Sequence, residues 1–191
     1  MGSLRGPLQK LKLSKLGTQG LARNARLVNQ AWDEIDRVVG ELPTAAGTLR
    51  IYQDGLPAGG NERRVVVELA EAGSRNHRLI LQLMERGAVL MGTESLDLLL
   101  EEYQLAVATV APRGPRKALR SAVREKSLSD SLLERRDRFI GARISATLAE
   151  GETGILFLGM LHAVEPYLAS DIRVVYPTSA PQAAASRRAI R

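Results

Sequence analysis

The sequence predicts an α/β fold, namely a small, mostly parallel sheet with helices on both faces. Short apolar runs at residues 49–53, 88–91, 155–158 and 172–176 are typical of strands buried in a parallel sheet. Longer segments with apolar residues at three- and four-residue intervals separate the runs, as helices do in α/β proteins. Glycines and prolines mark many of the boundaries. The order of the strands is left open.

The first helix is predicted from Thr18 to Leu42, because its apolar residues share one helical face, and Pro43 ends it. Trp32, the only tryptophan, lies on that face and is predicted to anchor the core. Further helices are predicted at residues 62–72, 74–86, 96–110 and 131–148. Residues 111–130 contain two prolines and a basic run. We therefore expect a surface loop there, with at most one short helix.

Composition bounds the class of protein. The 191 residues are 45% hydrophobic and 25% charged, as in a soluble domain of ordinary size. There is no cysteine, which excludes disulfides and thiolate metal sites. No apolar run approaches the roughly 18 residues of a membrane span, and the N-terminus lacks the apolar core of a signal peptide. We expect a cytoplasmic protein without membrane association.

The net charge of +6 originates at the two ends of the chain. Residues 1–16 and 178–191 carry only basic charges, so the rest of the chain is close to neutral. We predict a basic disordered tail at residues 1–17, one α/β domain at residues 18–177 and a second disordered tail at residues 178–191. With aromatic residues at 4%, nucleic acid is not expected as a partner. The oligomeric state is left open.

Polar residues follow three of the predicted strands where each strand ends. Asp54 and Gly55 follow the first strand, Glu94 follows the second, and Gly159 and His162 follow the third. The carboxyl ends of parallel strands meet at one edge of a sheet, where open α/β sheets bind their ligands. We therefore expect Glu94 and His162 to face one crevice, with Asp54, Gly55 and Gly159 among its ligand-binding residues.

Arg136 lies in the charged run at residues 134–138, which is typical of a solvated helix face. If one member turned inward, it could steady the Glu94 carboxylate or bind an anion. Glu94 and His162 could act as general acid and base, or ligate a divalent metal together with water. Two ligands alone are too few for a tight zinc site. The structural alternative for His162 is a buried histidine without a functional role. The structural alternative for Glu94 is a residue that the dipole of the following helix favours at its N-terminus.

Two other features have a structural and a functional interpretation. The glycine-rich loop at residues 54–61 lacks the lysine of a Walker loop, but Gly59 and Gly60 could present backbone N–H groups to an anion. A plain turn is the alternative. His77, the only other histidine, is most simply an exposed residue in the first turn of a helix.

Residues 134–175 resemble the carboxyl-terminal signature of the TraB/PrgY/GumN group, which is related to the Tiki proteases. The matching residues are Arg136-Asp137 on a helix and Gly159-Met160-Leu161-His162 after an apolar strand. The resemblance implies a metal-dependent hydrolase for some members of the group and no known activity for many others. The group's early Gly-x-x-His has no counterpart here, because His77 lies in Ser-Arg-Asn-His. Residues 52–57 and 91–95 look like motifs of an uncharacterised bacterial family.

These observations lead to three functional hypotheses. The first is a protein that binds a small polar or anionic ligand at the carboxyl ends of its strands. The second, from the resemblance, is a metal-assisted hydrolase that uses Glu94 and His162. The third is a non-catalytic scaffold whose basic tails engage an acidic partner. The hydrolase requires a further ligand beside Glu94 and His162, whereas the scaffold should expose an apolar patch.

Overall fold

The computed structural model describes residues 5–42, 48–110 and 115–176, with the backbone alone for residues 5–18, 21, 24, 110 and 115–123. The elements in chain order are α1 (Arg5–Glu41), β1 (Leu49–Gln53), α2 (Glu62–Glu71), α3 (Arg75–Glu85), β2 (Val89–Met91), α4 (Leu96–Val110), α5 (Pro115–Thr147) and β3 (Thr153–Phe157). A 3₁₀ turn at Glu165–Tyr167 follows β3.

The three strands form one parallel sheet in the order β2-β1-β3. Ile51 in the central strand lies opposite Leu90 on one side and Ile155 on the other. The predicted α/β fold with a small parallel sheet is confirmed. Because all three strands run in the same direction, the segments after β1, β2 and β3 emerge at the same edge.

Helices cover both faces of this sheet. On one face, Leu49 and Ile51 of β1 are buried against side chains of α1, α2 and α3, including Val39, Val66 and Ile80. On the other face, Tyr52 packs against Ile140 and Ile144 of α5 and against Val164. Alternate residues of a strand point to opposite faces, which is why one short strand serves both cores.

The predicted fourth strand at residues 172–176 is wrong, since the segment is irregular and pairs with no strand in the described part of the chain. Ile172 packs beside the Tyr52 cluster. Val175 and Tyr176 are both 65% exposed, and the Tyr176 hydroxyl donates to Glu165 Oε2 over 3.1 Å. The apolar run thus lies only partly against the core, and a short run of this kind does not by itself establish strand pairing.

Two predicted boundaries are also wrong. Residues 115–130 are not a loop, because α5 is continuous from Pro115 to Thr147. Proline is well suited to the first turn of a helix, and the lysines, arginines, alanines and leucines that follow have high helix propensity. The first helix begins at Arg5 rather than Thr18. Pro7 lies in its first turn, where proline is tolerated. Pro43, residues 111–114 and the predicted tail at residues 178–191 lie outside the described residues.

The outer face of α4 exposes an apolar stripe. Its members recur at helical spacing and are each about half exposed, namely Leu96, Leu100, Tyr103 and Val107. Within the described parts of the chain, no helix combines the length and the apolar character needed to cross a membrane.

Candidate functional site

The three strand ends bring Asp54, Glu94 and His162 together. Asp54 directly follows β1, Glu94 lies three residues after β2, and His162 lies five residues after β3. One carboxylate oxygen from each acid and one ring nitrogen of His162 all lie within 4.8 Å of one another. The parallel sheet therefore produces the juxtaposition that the sequence predicts for Glu94 and His162, with Asp54 as a third member.

Arg136 of α5 is the central cation of this cluster. Its side chain is 5% exposed and that of Glu94 is fully buried. Its Nε and Nη2 groups donate to the two carboxylate oxygens of Glu94, the Nε bond measuring 3.1 Å. Nη2 also donates to Asp54 Oδ1 over 2.7 Å, and Nη1 donates to Glu102 Oε1 over 2.7 Å. The planar guanidinium suits such paired contacts.

Asp54 connects Arg136 with the loop after β3. Its Oδ2 accepts the backbone N–H of Gly159 over 3.1 Å and lies 3.4 Å from His162 Nε2. Burial alone would raise the pKa of Asp54, but the hydrogen bond and charge of His162, together with the Arg136 charge, lower it to about 2. The Asp54 side chain is 23% exposed, so this ionised carboxylate is the most exposed of the three groups Asp54, Glu94 and His162.

His162 is held by two carboxylates. Its Nδ1 lies 2.5 Å from Asp137 Oδ1, and its Nε2 faces Asp54. Burial would lower the pKa of His162, but hydrogen bonds to Asp137 and Asp54 raise it to about 9. The imidazole is therefore protonated at neutral pH. The backbone supports this position, because His162 N–H donates to the Gly159 carbonyl over 3.1 Å.

Glu94 is fixed by the backbone that surrounds it. The Gly55 N–H donates to Glu94 Oε1 over 3.1 Å, and the Ala58 N–H donates to the Glu94 carbonyl over 2.9 Å. Gly55 adopts a φ of 75°, which favours glycine. Burial raises the pKa of Glu94, against the effect of its hydrogen bonds from Arg136. The loops after β1 and β2 are thus joined around one buried carboxyl group.

The glycine-rich loop binds a carboxylate of the protein itself. Gly59 and Gly60 donate their N–H groups to Glu62 Oε1 over 2.9 and 3.1 Å, and these bonds lower the pKa of Glu62. Asn61 precedes α2 without a side-chain capping hydrogen bond. This arrangement favours the structural interpretation of the loop over an external anion.

The structure joins every residue that the sequence predicts for the site. Arg136 does turn inward, and Gly55 and Gly159 contribute backbone N–H groups. His77 belongs elsewhere, since it is half-buried and its Nδ1 lies 2.7 Å from Ser74 Oγ at the start of α3. Its burial, which lowers the pKa, differs from the exposed position that the sequence suggests.

Sequence reasoning gave no separate role to Asp137 and missed Glu102. Asp137 is buried, and its Oδ2 also accepts the Ala163 N–H over 2.8 Å. It borders an open cavity of about 560 Å³ between α5 and the 3₁₀ turn, which Tyr167 and Pro166 also line. The signals for Asp137 were its adjacency to Arg136 in a charged run that otherwise resembles a solvated surface, and its place in the Arg136-Asp137 pair of the family resemblance.

Fold and site together define an α/β protein with a buried ionic cluster at the carboxyl edge of a three-stranded parallel sheet. Comparison of the chain with family models, curated proteins and solved structures found no match. The resemblance to the TraB/PrgY/GumN group therefore stays a prediction that depends on Arg136-Asp137 and on residues 159–162.

Proposed function

We propose that this protein binds a small polar ligand at the carboxyl edge of its sheet, with Asp54 as the contacting carboxylate and His162 as the group that exchanges a proton with it. The convergence of Asp54, Glu94 and His162 within 4.8 Å carries the proposal. Ligands of open α/β sheets bind at this edge. Clusters of buried groups with shifted pKa values occur more often at functional sites than elsewhere.

The charge balance of the cluster favours one kind of ligand. Among the residues whose side chains the structure describes, four carboxyl groups face two basic side chains, Arg136 and His162; the four are those of Asp54, Glu94, Glu102 and Asp137. An anion would meet no excess of positive charge there. Of the polar and anionic ligands that the sequence leaves open, an uncharged or cationic one with N–H or O–H donors is therefore favoured.

The exposed fractions assign different roles within the cluster. Of the three groups that converge within 4.8 Å, Asp54 is the most exposed, whereas Glu94 and Arg136 are enclosed and Arg136 holds Asp54 in position. His162 Nε2 lies beside the same oxygen of Asp54 that faces Gly159. A proton held on Nε2 is thus next to the carboxylate that would receive the ligand, as general acid–base chemistry requires.

Calorimetric titration tests this proposal with defined probes. We expect methylguanidine or ethanolamine to bind the wild-type protein measurably, and inorganic phosphate to bind far more weakly. Asp54→Asn should reduce the affinity for the cationic probes at least tenfold. The exposed Asp171→Asn, which removes the same charge outside the cluster, should leave it unchanged. Equal losses in the two variants, or no binding of either cation, would contradict the proposal.

The second candidate is a metal-assisted hydrolase, as the family resemblance implies. Two carboxylates and an imidazole are common ligands for divalent metals, and the 4.8 Å spacing is compatible with one ion between them. The residues fit such an ion in kind and in spacing. Arg136 competes with it, because its guanidinium already binds both carboxylates. A bound ion would supply a Lewis acid and an activated water.

Titration with Mn²⁺ or Zn²⁺ alone separates this candidate from the first. If the hydrolase is correct, Glu94→Gln and His162→Ala should each weaken metal binding at least tenfold. His77→Ala should not, because His77 lies at the start of α3 beside Ser74. Metal affinity that is equal in all three variants would refute a metal centre at this edge.

A further inference from the structure

Asp137 contacts His162 through the ring nitrogen that does not face Asp54. Asp137 Oδ1 lies 2.5 Å from His162 Nδ1, and both side chains are 5% exposed. The second oxygen, Oδ2, accepts the Ala163 N–H over 2.8 Å. One carboxylate therefore holds both the ring of residue 162 and the backbone of the next residue.

We infer that Asp137 is a positioning residue, which keeps the proton of His162 on Nδ1 and directs Nε2 towards Asp54 and the ligand. The role of this positioning in ligand chemistry rests on the proposed function, whereas the contact between Asp137 and His162 does not depend on it. A carboxylate can only accept a hydrogen bond, and Asp137 Oδ1 lies 2.5 Å from Nδ1 whereas Asp54 Oδ2 lies 3.4 Å from Nε2, so Nδ1 is the nitrogen that keeps the proton in the neutral ring. In the neutral ring, Nε2 then keeps its lone pair.

The consequence concerns proton transfer. With Nδ1–H fixed on Asp137, the imidazolium present at neutral pH can donate its Nε2 proton to a ligand bound beside Asp54. The ring then becomes neutral with its lone pair on Nε2, and the same nitrogen can take the proton back from the ligand. Asp137 itself neither gains nor loses a proton, so its part is orientation and charge stabilisation. Carboxylate partners of this kind commonly fix the tautomer and orientation of functional histidines.

The variant Asp137→Asn separates positioning from simple packing. An asparagine has an NH₂ donor in place of one carboxylate oxygen, so one of the two partners, which contact different oxygens of Asp137, must face that donor. The backbone N–H of Ala163 cannot move its proton, whereas the imidazole can. We therefore expect the amide oxygen to keep Ala163 and the amide N–H to face Nδ1. The neutral ring must then carry its proton on Nε2.

Two-bond ¹H–¹⁵N NMR spectra of the imidazole ring test this without any ligand. In the wild-type protein above pH 9, we expect the Nδ1–H tautomer of His162 to predominate. In Asp137→Asn the Nε2–H tautomer should predominate, with backbone amide shifts that remain native. At neutral pH, the wild type should show a slowly exchanging, low-field Nδ1–H resonance that Asp137→Asn lacks.

The wild-type spectrum is decisive even if the variant fails to fold. A predominant Nε2–H tautomer in the wild type would overturn the inference, as would an unchanged tautomer in folded Asp137→Asn. Because no ligand takes part, these results are independent of the proposed function. A protein with the expected tautomer that binds none of the probes would retain the positioning role of Asp137 and lose the ligand proposal.

Discussion

Arg136 donates to both carboxylate oxygens of Glu94, and neither side chain has appreciable contact with water. This pair joins α5 to the loop after β2, and Asp54 extends it to the loop after β1. Buried ion pairs often stabilise a fold less than apolar residues of the same size would. The presence of this pair is therefore only weak evidence of a contribution to stability.

The first prediction concerns removal of the central cation. Arg136→Met should lower the free energy of unfolding by about 3–5 kcal/mol, because it leaves buried carboxylates without their partner. The double variant Arg136→Met with Glu94→Leu should lose less than the single one, because the orphaned charge is removed as well. Urea denaturation measures both. Arg63→Met, which removes an exposed arginine of α2, is the control and should change stability by less than about 0.5 kcal/mol.

A larger loss in the double variant than in Arg136→Met alone would contradict this description of the pair. It would mean that Glu94 stabilises the fold through contacts other than those with Arg136.

The second prediction concerns pH. The pKa of His162 is raised from 6.5 to about 9 in the folded protein. The contribution of His162 to the free energy of unfolding is therefore complete below pH 6.5 and is lost as the pH rises from 6.5 to 9. At 1.36 kcal/mol per pKa unit, that contribution is on the order of 3 kcal/mol. In metal-free buffer, the stability difference between wild type and His162→Gln should shrink across this range.

His77 provides the matched control, since burial lowers its pKa. His77→Gln should not reproduce the loss between pH 6.5 and 9, because a lowered pKa acts in the opposite sense. A wild-type protein that keeps its full advantage over His162→Gln at pH 9 would show that the carboxylates do not bind an imidazolium.

The third prediction concerns acid. The pKa of Asp54 falls from 3.8 to about 2 on folding. The contribution of Asp54 to the free energy of unfolding is present above pH 3.8 and is lost as the pH falls towards 2. Between pH 5 and 2, the free energy of unfolding should therefore decrease less for Asp54→Asn than for the wild type. Identical acid profiles for wild type, Asp54→Asn and Asp171→Asn would contradict the assignment.

The fourth prediction concerns the turn that leads to Glu94. A Cβ on Gly92 would lie 2.4 Å from the Ala58 Cα, so the two loops approach too closely for a side chain. Gly92→Ala should lower the free energy of unfolding by about 1–3 kcal/mol. Gly40 has nothing within 4 Å of an added Cβ and lies in α1, so Gly40→Ala should be neutral or stabilising by up to about 1 kcal/mol. Equal thermal shifts in the two variants would refute the close approach.

Much of the fold was predictable because the three strands are short apolar runs bounded by turn residues. The site was predictable for the same reason, since parallel strands place Asp54, Glu94 and His162 at one edge whatever their order. The fourth strand failed because local composition at residues 172–176 does not determine pairing, which depends on tertiary contacts. The roles of Asp137 and Glu102 were not predictable, because a charged helical run does not reveal which members turn inward.

The central claim is that a polar ligand binds at Asp54 and His162, and mapping of its contacts by NMR tests this most directly. Methylguanidine added to the ¹⁵N-labelled protein should shift the backbone amide resonances of Gly55 and Gly159 and the ring resonances of His162, with one shared, saturable affinity. The same additions should leave the ring of His77 unaffected, and Asp54→Asn should abolish the shifts. Saturable shifts confined to other surfaces, or unchanged shifts in Asp54→Asn, would contradict the claim.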